Sequence, residues 1–211
     1  MRSLLLPWVV AVGGFGLSAC SSTPKKVPEL SAYEGQRVAL IEVDGEPTTR
    51  KMVEVSLVNQ LVQHGSFELI PRSEVDAARK APESSPTDWK GISQKAGADV
   101  ALRAKVLRFE AEETQGYDKI GVHDSQLEAE TGRGKTDRLV KVRSLTGTVA
   151  IELEFTSLRQ TDVSATRTAV AESTETVRST EEHGSARLPP KLAFLERLMN
   201  RAFEDFFKRY R

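Results

Sequence analysis

The stretch Arg37-Val38-Ala39-Leu40-Ile41-Glu42-Val43 is apolar almost without interruption, as expected of a strand covered on both faces. The next thirty residues supply one of its covers. Pro47-Thr48-Thr49 offer turn and capping chemistry, Met52, Val55, Val58, Leu61 and Val62 recur at helical spacing, and Gly65 stops the helix. Phe67 to Ile70 reads as the next short strand. A strand, a helix and a strand this close together make a crossover unit, with the two strands parallel and the helix on one face. The chain is thereby directed to an α/β fold.

Beyond the crossover, Ser73 reads as the N-cap of a second helix with Glu74 and Asp76 in its first turn. A loop from Pro82 to Pro86 leads to a third, Trp89 to Ala96, capped by Asp88 or Thr87 and ended by Gly97. Trp89, at a helix start, is read as a partly buried anchor in preference to a binding aromatic. Val100, Leu102, Ala104 and Val106 then alternate with polar residues, but from Leu107 the apolar set moves to Phe109 and Ala111. A one-residue slip flips the faces of a strand, so a bulge is expected near Val106-Leu107. Alternation resumes from Gly147 to Leu158, with Val149, Ile151, Leu153 and Phe155 inward and Glu152, Glu154 and Thr156 outward. After a turn at 159–162, Val163 to Val177 is the return strand. Pro189-Pro190 starts a last helix whose wide apolar face is Leu192, Leu195, Leu198, Met199, Ala202, Phe203, Phe206 and Phe207. The expectation is one α/β domain, residues 37–211, a mixed β-sheet flanked by helices.

Residues 112–137 interrupt this pattern. They are polar, contain Gly116, Gly121, Gly132 and Gly134, and show no sustained period, so they read as a long polar loop that is either mobile or functional. Exposed loops on a rigid scaffold commonly carry binding, which makes Tyr117 and Ile120 the expected partner contacts. The alternative is a membrane hairpin, which needs two stretches of about 9 to 11 residues with alternate apolar side chains facing lipid. Ile120 and Val122 on one side, and Leu139 or Val140 with Val142 on the other, come near this, among Asp118, Asp124, Lys141 and Arg143.

The N-terminus reads as a secretory leader, residues 1–19: Arg2 supplies a positive charge, Leu4 to Leu17 an apolar run, and Ser18-Ala19 the small residues a peptidase needs. Leu17-Ser18-Ala19-Cys20 resembles the lipobox of bacterial lipoproteins. The resemblance implies lipid on the Cys20 thiol, cleavage before it, acylation of the new amine, and anchorage in a membrane, since several acyl chains on one residue anchor stably where one is marginal. Ser21 in place of Asp implies the outer membrane, with the domain facing the periplasm. Cys20 is the chain's single cysteine, so no disulfide can form within the chain. Residues 20–36, with Pro24, Lys25, Lys26 and Pro28, read as a tether whose 16 or so flexible residues span on the order of 20 Å, or roughly 55 Å fully stretched. Basic and acidic residues balance at 30 each and are mixed along the chain, which is no electrostatic footprint for nucleic acid.

The segments RVALIEV, LVNQLVQHG, SFELIPRSEV and ISQKAGADVALRAKV, with Ala96-Gly97-Ala98-Asp99 entering a strand, resemble the frame shared by CsgG-type secretion lipoproteins, the TolB N-terminal domain and LpoB-type activators of penicillin-binding proteins. The hairpin GTVAIELEFTSLRQTDVSATRTAVAES resembles theirs, except that Gln160-Thr161-Asp162 lacks the usual turn glycine. The resemblance implies a membrane-anchored lipoprotein acting as an interaction or assembly module of an envelope or secretion machine, with a protein partner. Two other roles come with it: an activator of a peptidoglycan synthase, which the short tether disfavours, and a subunit of an oligomeric outer-membrane secretion channel, with homo-oligomers.

No catalytic constellation and no cofactor site is read from the sequence, so an enzyme is not expected. Residues 129–136 fit a relaxed phosphate-loop expression but lack the strand before and the helix after that aim backbone N–H groups at an anion. His64, His123 and His183 lie far apart without second ligands at metal-binding spacing. Glu152 and Glu154 share a strand face, which alternation explains as solvated positions.

Overall fold

The structure, a computed structural model, describes residues 33–209 apart from 65–66, 83–84, 86, 124, 133, 160–163 and 180–186. Five strands form one mixed sheet in the order β2-β1-β3-β4-β5: β1 (Arg37–Asp44), β2 (Glu68–Leu69), β3 (Val100–His123), β4 (Lys135–Ser157) and β5 (Ser164–Ser179). β1 pairs in parallel with β2 and β3, while β3–β4 and β4–β5 are antiparallel. The helices are α1 (Pro47–His64), α2 (Arg72–Lys80), α3 (Trp89–Lys95), α4 (Ser125–Thr131) and α5 (Lys191–Lys208). The sheet is flanked by helices, a single α/β domain as expected, with α1 and α5 on one face and α2 and α3 on the other.

β1 is apolar throughout because it lies between both layers. Val38, Leu40 and Val43 join the larger core under α1 and α5, while Ala39 and Ile41 join the smaller one under α2 and α3. A register shift between Leu40 and Glu42 puts Val43, and not Glu42, next on the first face. β3 slips between Val106 and Arg108, at the bulge the alternation predicts, and Phe109 and Ala111 then pack on the larger core. Val149, Ile151, Leu153 and Phe155 are fully buried against α1 and α5. Gly147 leaves room where α5 crosses: a Cβ there would stand 2.6 Å from Cε1 of Phe194.

Five details differ from expectation. Of the expected apolar series of α1, Leu61 is buried and Met52 and Val58 pack on the larger core, but Val55 and Val62 are 53% and 63% exposed, and the buried side is completed by Val53, Ser56 and Leu57, because this helix carries apolar residues on two sides. α2 begins at Arg72 with Pro71, not Ser73, at the N-cap; the Pro71 carbonyl accepts from Glu74 and Val75 N–H. Thr156 points away from the larger core but is buried. Leu192 is half exposed, and the unforeseen Phe194 takes its place in the core. The folded part starts before Arg37: Tyr33, assigned to the tether, is 2% exposed and stacks 6.0 Å from Phe155. α3 is capped as expected, Asp88 accepting from Gly91 N–H at 2.9 Å. The signal segment, with Leu17, Ser18, Ala19 and Cys20, lies outside the described residues, as do Gly65 and the hairpin turn at 160–163.

The largest correction concerns residues 112–137. They are not a loop: β3 and β4 continue as paired strands to His123↔Lys135 and are joined through α4. A period in sequence reports a difference in burial between two faces. On this part of the ladder the face of Tyr117 and Leu139 is solvated, and the other buries Val140 and half-buries Ile120 and Val142, too few to leave a sustained period.

Candidate functional site

The extension of β3 and β4 beyond the helical layers forms an arm, about 40 Å long from Ala111 to His123 at the rise of an extended strand. β5 adds a third strand as far as Lys141↔Ser179. β1 pairs with β3 only as far as Lys105. Among the described residues, Arg108 to His123 therefore bond to β4 alone, and β5 also has β4 as its one neighbour. Among the described residues, both edges of the arm carry backbone N–H and C=O groups without a neighbouring strand, the arrangement onto which an extended segment of another protein adds as a strand.

Register assigns the side chains to two faces. On the face continuous with the larger core, Tyr117 pairs with Lys141 and Lys119 with Leu139, so Tyr117 and Leu139 are diagonal neighbours. They are 76% and 68% exposed, the two most exposed large apolar side chains of the domain's described residues. At the base of this face Arg143 Nε and Nη2 donate to Glu113 Oε1 at 2.7 and 2.6 Å. The opposite face carries Asp118, Ile120, Val140 and Val142, with Arg178 donating to Asp118 Oδ2 at 2.9 and 3.2 Å. Hydroxyl pairs Ser144–Thr176 and Thr146–Thr174, each at 3.0 Å, line its base. A shallow cleft of about 310 Å³ runs between Thr114, Asp118, Val142, Thr176 and Arg178.

The two expected contact residues are thus both on the arm but on opposite faces: Tyr117 is exposed, while Ile120 is half-buried beside Asp118. One protein surface cannot cover both without wrapping the edge. Leu139 was missed as the companion of Tyr117. The strand-like run Leu139-Val140-Lys141-Val142 carried the signal, but a pairing register is needed to align it with Tyr117.

Other candidates resolve into structural roles. The phosphate-loop-like segment runs from the end of α4, through Gly132 at φ 68°, into β4; a strand, not a helix N-terminus, follows it. His64 Nε2 lies 3.0 Å from the Phe207 carbonyl and its ring 5.4 Å from that of Phe207, tying α1 to α5. His183 lies outside the described residues. Glu154 is 3.4 Å from Arg103, which also reaches Glu42 at 3.3 Å and lies 5.6 Å over the Trp89 ring. Trp89 itself is half-buried and packs on the smaller core, the expected anchor, with this charge network at its exposed side. Among the described residues no group of three His, Cys, Asp or Glu could hold a metal, and no helix is long and apolar enough to cross a membrane.

No protein-family model matches the chain, and neither does any curated protein sequence. Among solved structures, it is similar to the LpoB C-terminal domain from Salmonella enterica, with 12% identity, a TM-score of 0.38, and 68% of this chain and 92% of that one covered. It is also similar to the PelC dodecamer from Paraburkholderia phytofirmans, at 17% identity and a TM-score of 0.33 over 83% of this chain and 88% of that one. A lipoprotein from Neisseria meningitidis is similar at 8% identity and a TM-score of 0.37, over 82% of this chain and 99% of that one.

Proposed function

We propose that this chain is a lipid-anchored envelope protein of the outer membrane, facing the periplasm, and that its domain is a non-enzymatic docking module that engages a protein partner through the β3–β4 arm. The arm itself carries the reading: a paired ribbon reaching past the core, with two open backbone edges and the exposed pair Tyr117 and Leu139. Leu17-Ser18-Ala19-Cys20 supports the anchor. With Tyr33 buried, the residues from Cys20 to Ala32 can span at most about 45 Å, which favours a partner near the same membrane over an enzyme across the periplasm. A lipid-facing hairpin is disfavoured by the ion pairs Glu113–Arg143 on one face of the arm and Asp118–Arg178 on the other, since a membrane strand needs one apolar face.

The test removes the arm in register. Gln115 pairs with Arg143, so Gly116 to Val142 are replaced by Asn-Gly, a two-residue hairpin turn. The shortened protein keeps its circular dichroism and cooperative melting, and loses the partner that the intact chain crosslinks in cells. Retention of the same crosslinked partner overturns the reading. The anchor is checked separately by mass: Cys20→Ser loses the lipid, and an unmodified product from the unaltered chain refutes it.

A further inference from the structure

α1 has a second apolar side, of which Met52 packs at the margin of the larger core while Val55 and Val62 are covered by none of the described residues. Thr48, Met52, Val55, Asn59 and Val62 follow one another at steps of four, three, four and three residues, the spacing of a seam between two helices. At 100° per residue this seam lies opposite the buried stripe Val53, Leu57 and Leu61. Val55 and Val62 are 53% and 63% exposed. Beside the seam a groove of about 550 Å³ opens between α1 and α5, with Met52, Val55, Asn59 and Met199 in its lining.

We infer that a second copy of this chain covers this face, the two α1 helices meeting parallel and in register about a two-fold axis along them, each lying over the other's α1–α5 groove. Three observations select this occupant. The seam has one polar member in its middle, Asn59, with no hydrogen bond to any described residue, and a lone asparagine at such a position pairs with its own copy in a parallel dimer. The second is the exposure of Val55 and Val62, which then meet Val55 and Val62 of the second copy. The third observation is charge. The contacts Ser56–Asn200 and His64–Phe207 show that α1 and α5 run side by side in the same direction, which puts Glu196 level with Met52. Lys51 lies on the flank of the seam turned away from α5. A two-fold along α1 carries the second copy's α5 to that flank, so Lys51 of each copy faces Glu196 of the other. Both residues border the open surface that spans the seam and α5, at opposite sides of it, and neither has an ion-pair partner among the described residues. An antiparallel dimer would set α5 against α5 and leave these charges apart.

The seam from Thr48 to Val62 is about 21 Å long at the helical rise, short for a standard interface, so the dimer is a weak one. Sedimentation equilibrium of the full chain in detergent should show a reversible monomer–dimer equilibrium at micromolar to high micromolar concentration. Val55→Asp, at an exposed position, should abolish it with an unchanged melting curve. Lys51→Glu and Glu196→Lys should each weaken it about tenfold, and the double exchange should restore it. In a Cys20→Ser chain, Asn59→Cys should form a disulfide-linked dimer on mild oxidation, which the antiparallel arrangement forbids. A monomer at every concentration, a dimer that persists in Val55→Asp, or no disulfide through position 59 overturns the inference.

Discussion

Gly147→Ala tests how α5 closes the domain. Gly147 lies in β4 between the buried Leu145 and Val149, where the side chains turn towards α5. An added Cβ would meet Phe194 Cε1 at 2.6 Å and Cδ1 at 3.1 Å, and Leu198 Cδ1 at 3.0 Å. The Phe194 ring is 2% exposed and has no open side into which to swing, so the helix or the strand must shift. Overpacking of this kind costs about 1–3 kcal/mol, against a gain of roughly 0.5–1 kcal/mol for replacing glycine inside a strand. The net loss is about 1–2 kcal/mol, a fall in Tm of roughly 2–8 °C for a domain of this size. Urea unfolding followed by circular dichroism measures it. In a double-mutant cycle, Phe194→Leu frees the space, so the two losses should sum to about 1 kcal/mol more than the double mutant shows. A stabilised Gly147→Ala protein, or strictly additive losses, would refute the close crossing of α5 over this glycine.

Tyr33→Ala should cost about 3–5 kcal/mol, the usual loss for a large buried aromatic, because Tyr33 is 2% exposed and stacked on Phe155; a loss below about 1 kcal/mol in the same assay would return Tyr33 to the tether. Asp99→Ala should lower stability by about 1–2 kcal/mol, since its carboxylate accepts from Arg37 N–H at 3.1 Å and Arg159 Nε at 2.8 Å; Asp99→Asn should recover part of the loss. Glu204 should titrate below the ordinary carboxylate value, held down by the hydrogen bond from Lys208 and then by its charge. Its folded pKa being depressed, any stabilisation is present above the unfolded pKa and lost as pH falls through the folded one. An NMR titration reads this directly, and Lys208→Ala should return Glu204 to the ordinary value.

The parts of this fold that can be read from sequence are those where burial differs sharply between faces or is complete on both. β4 alternates because Val149, Ile151, Leu153 and Phe155 meet the helices while Glu152 and Glu154 do not. β1 is a continuous run because it has a core on each side. The bulge after Val106 is visible because the apolar set changes parity there. α1 misleads because its apolar residues serve two faces, and sequence spacing does not say which one the sheet takes. Tyr33 is a lone aromatic in a polar segment, and its partner Phe155 is 122 residues away. The arm is the hardest case: with one face solvated and only Val140 buried on the other it has no sustained hydrophobic period, and its strands are defined by long-range pairing such as Tyr117↔Lys141 and Gln115↔Arg143. Tyr117 was therefore legible as an exposed aromatic but not as a residue on a particular face with Leu139 beside it.

The proposed docking role is tested most directly by photocrosslinking in intact cells, with a photoreactive residue placed in turn at Tyr117, at Leu139 and at Ser73, an exposed position on α2 far from the arm. A docking arm predicts one discrete protein adduct shared by positions 117 and 139 and absent from 73. The same adduct in equal yield from all three positions, or an adduct from Ser73 with both arm positions silent, would contradict it.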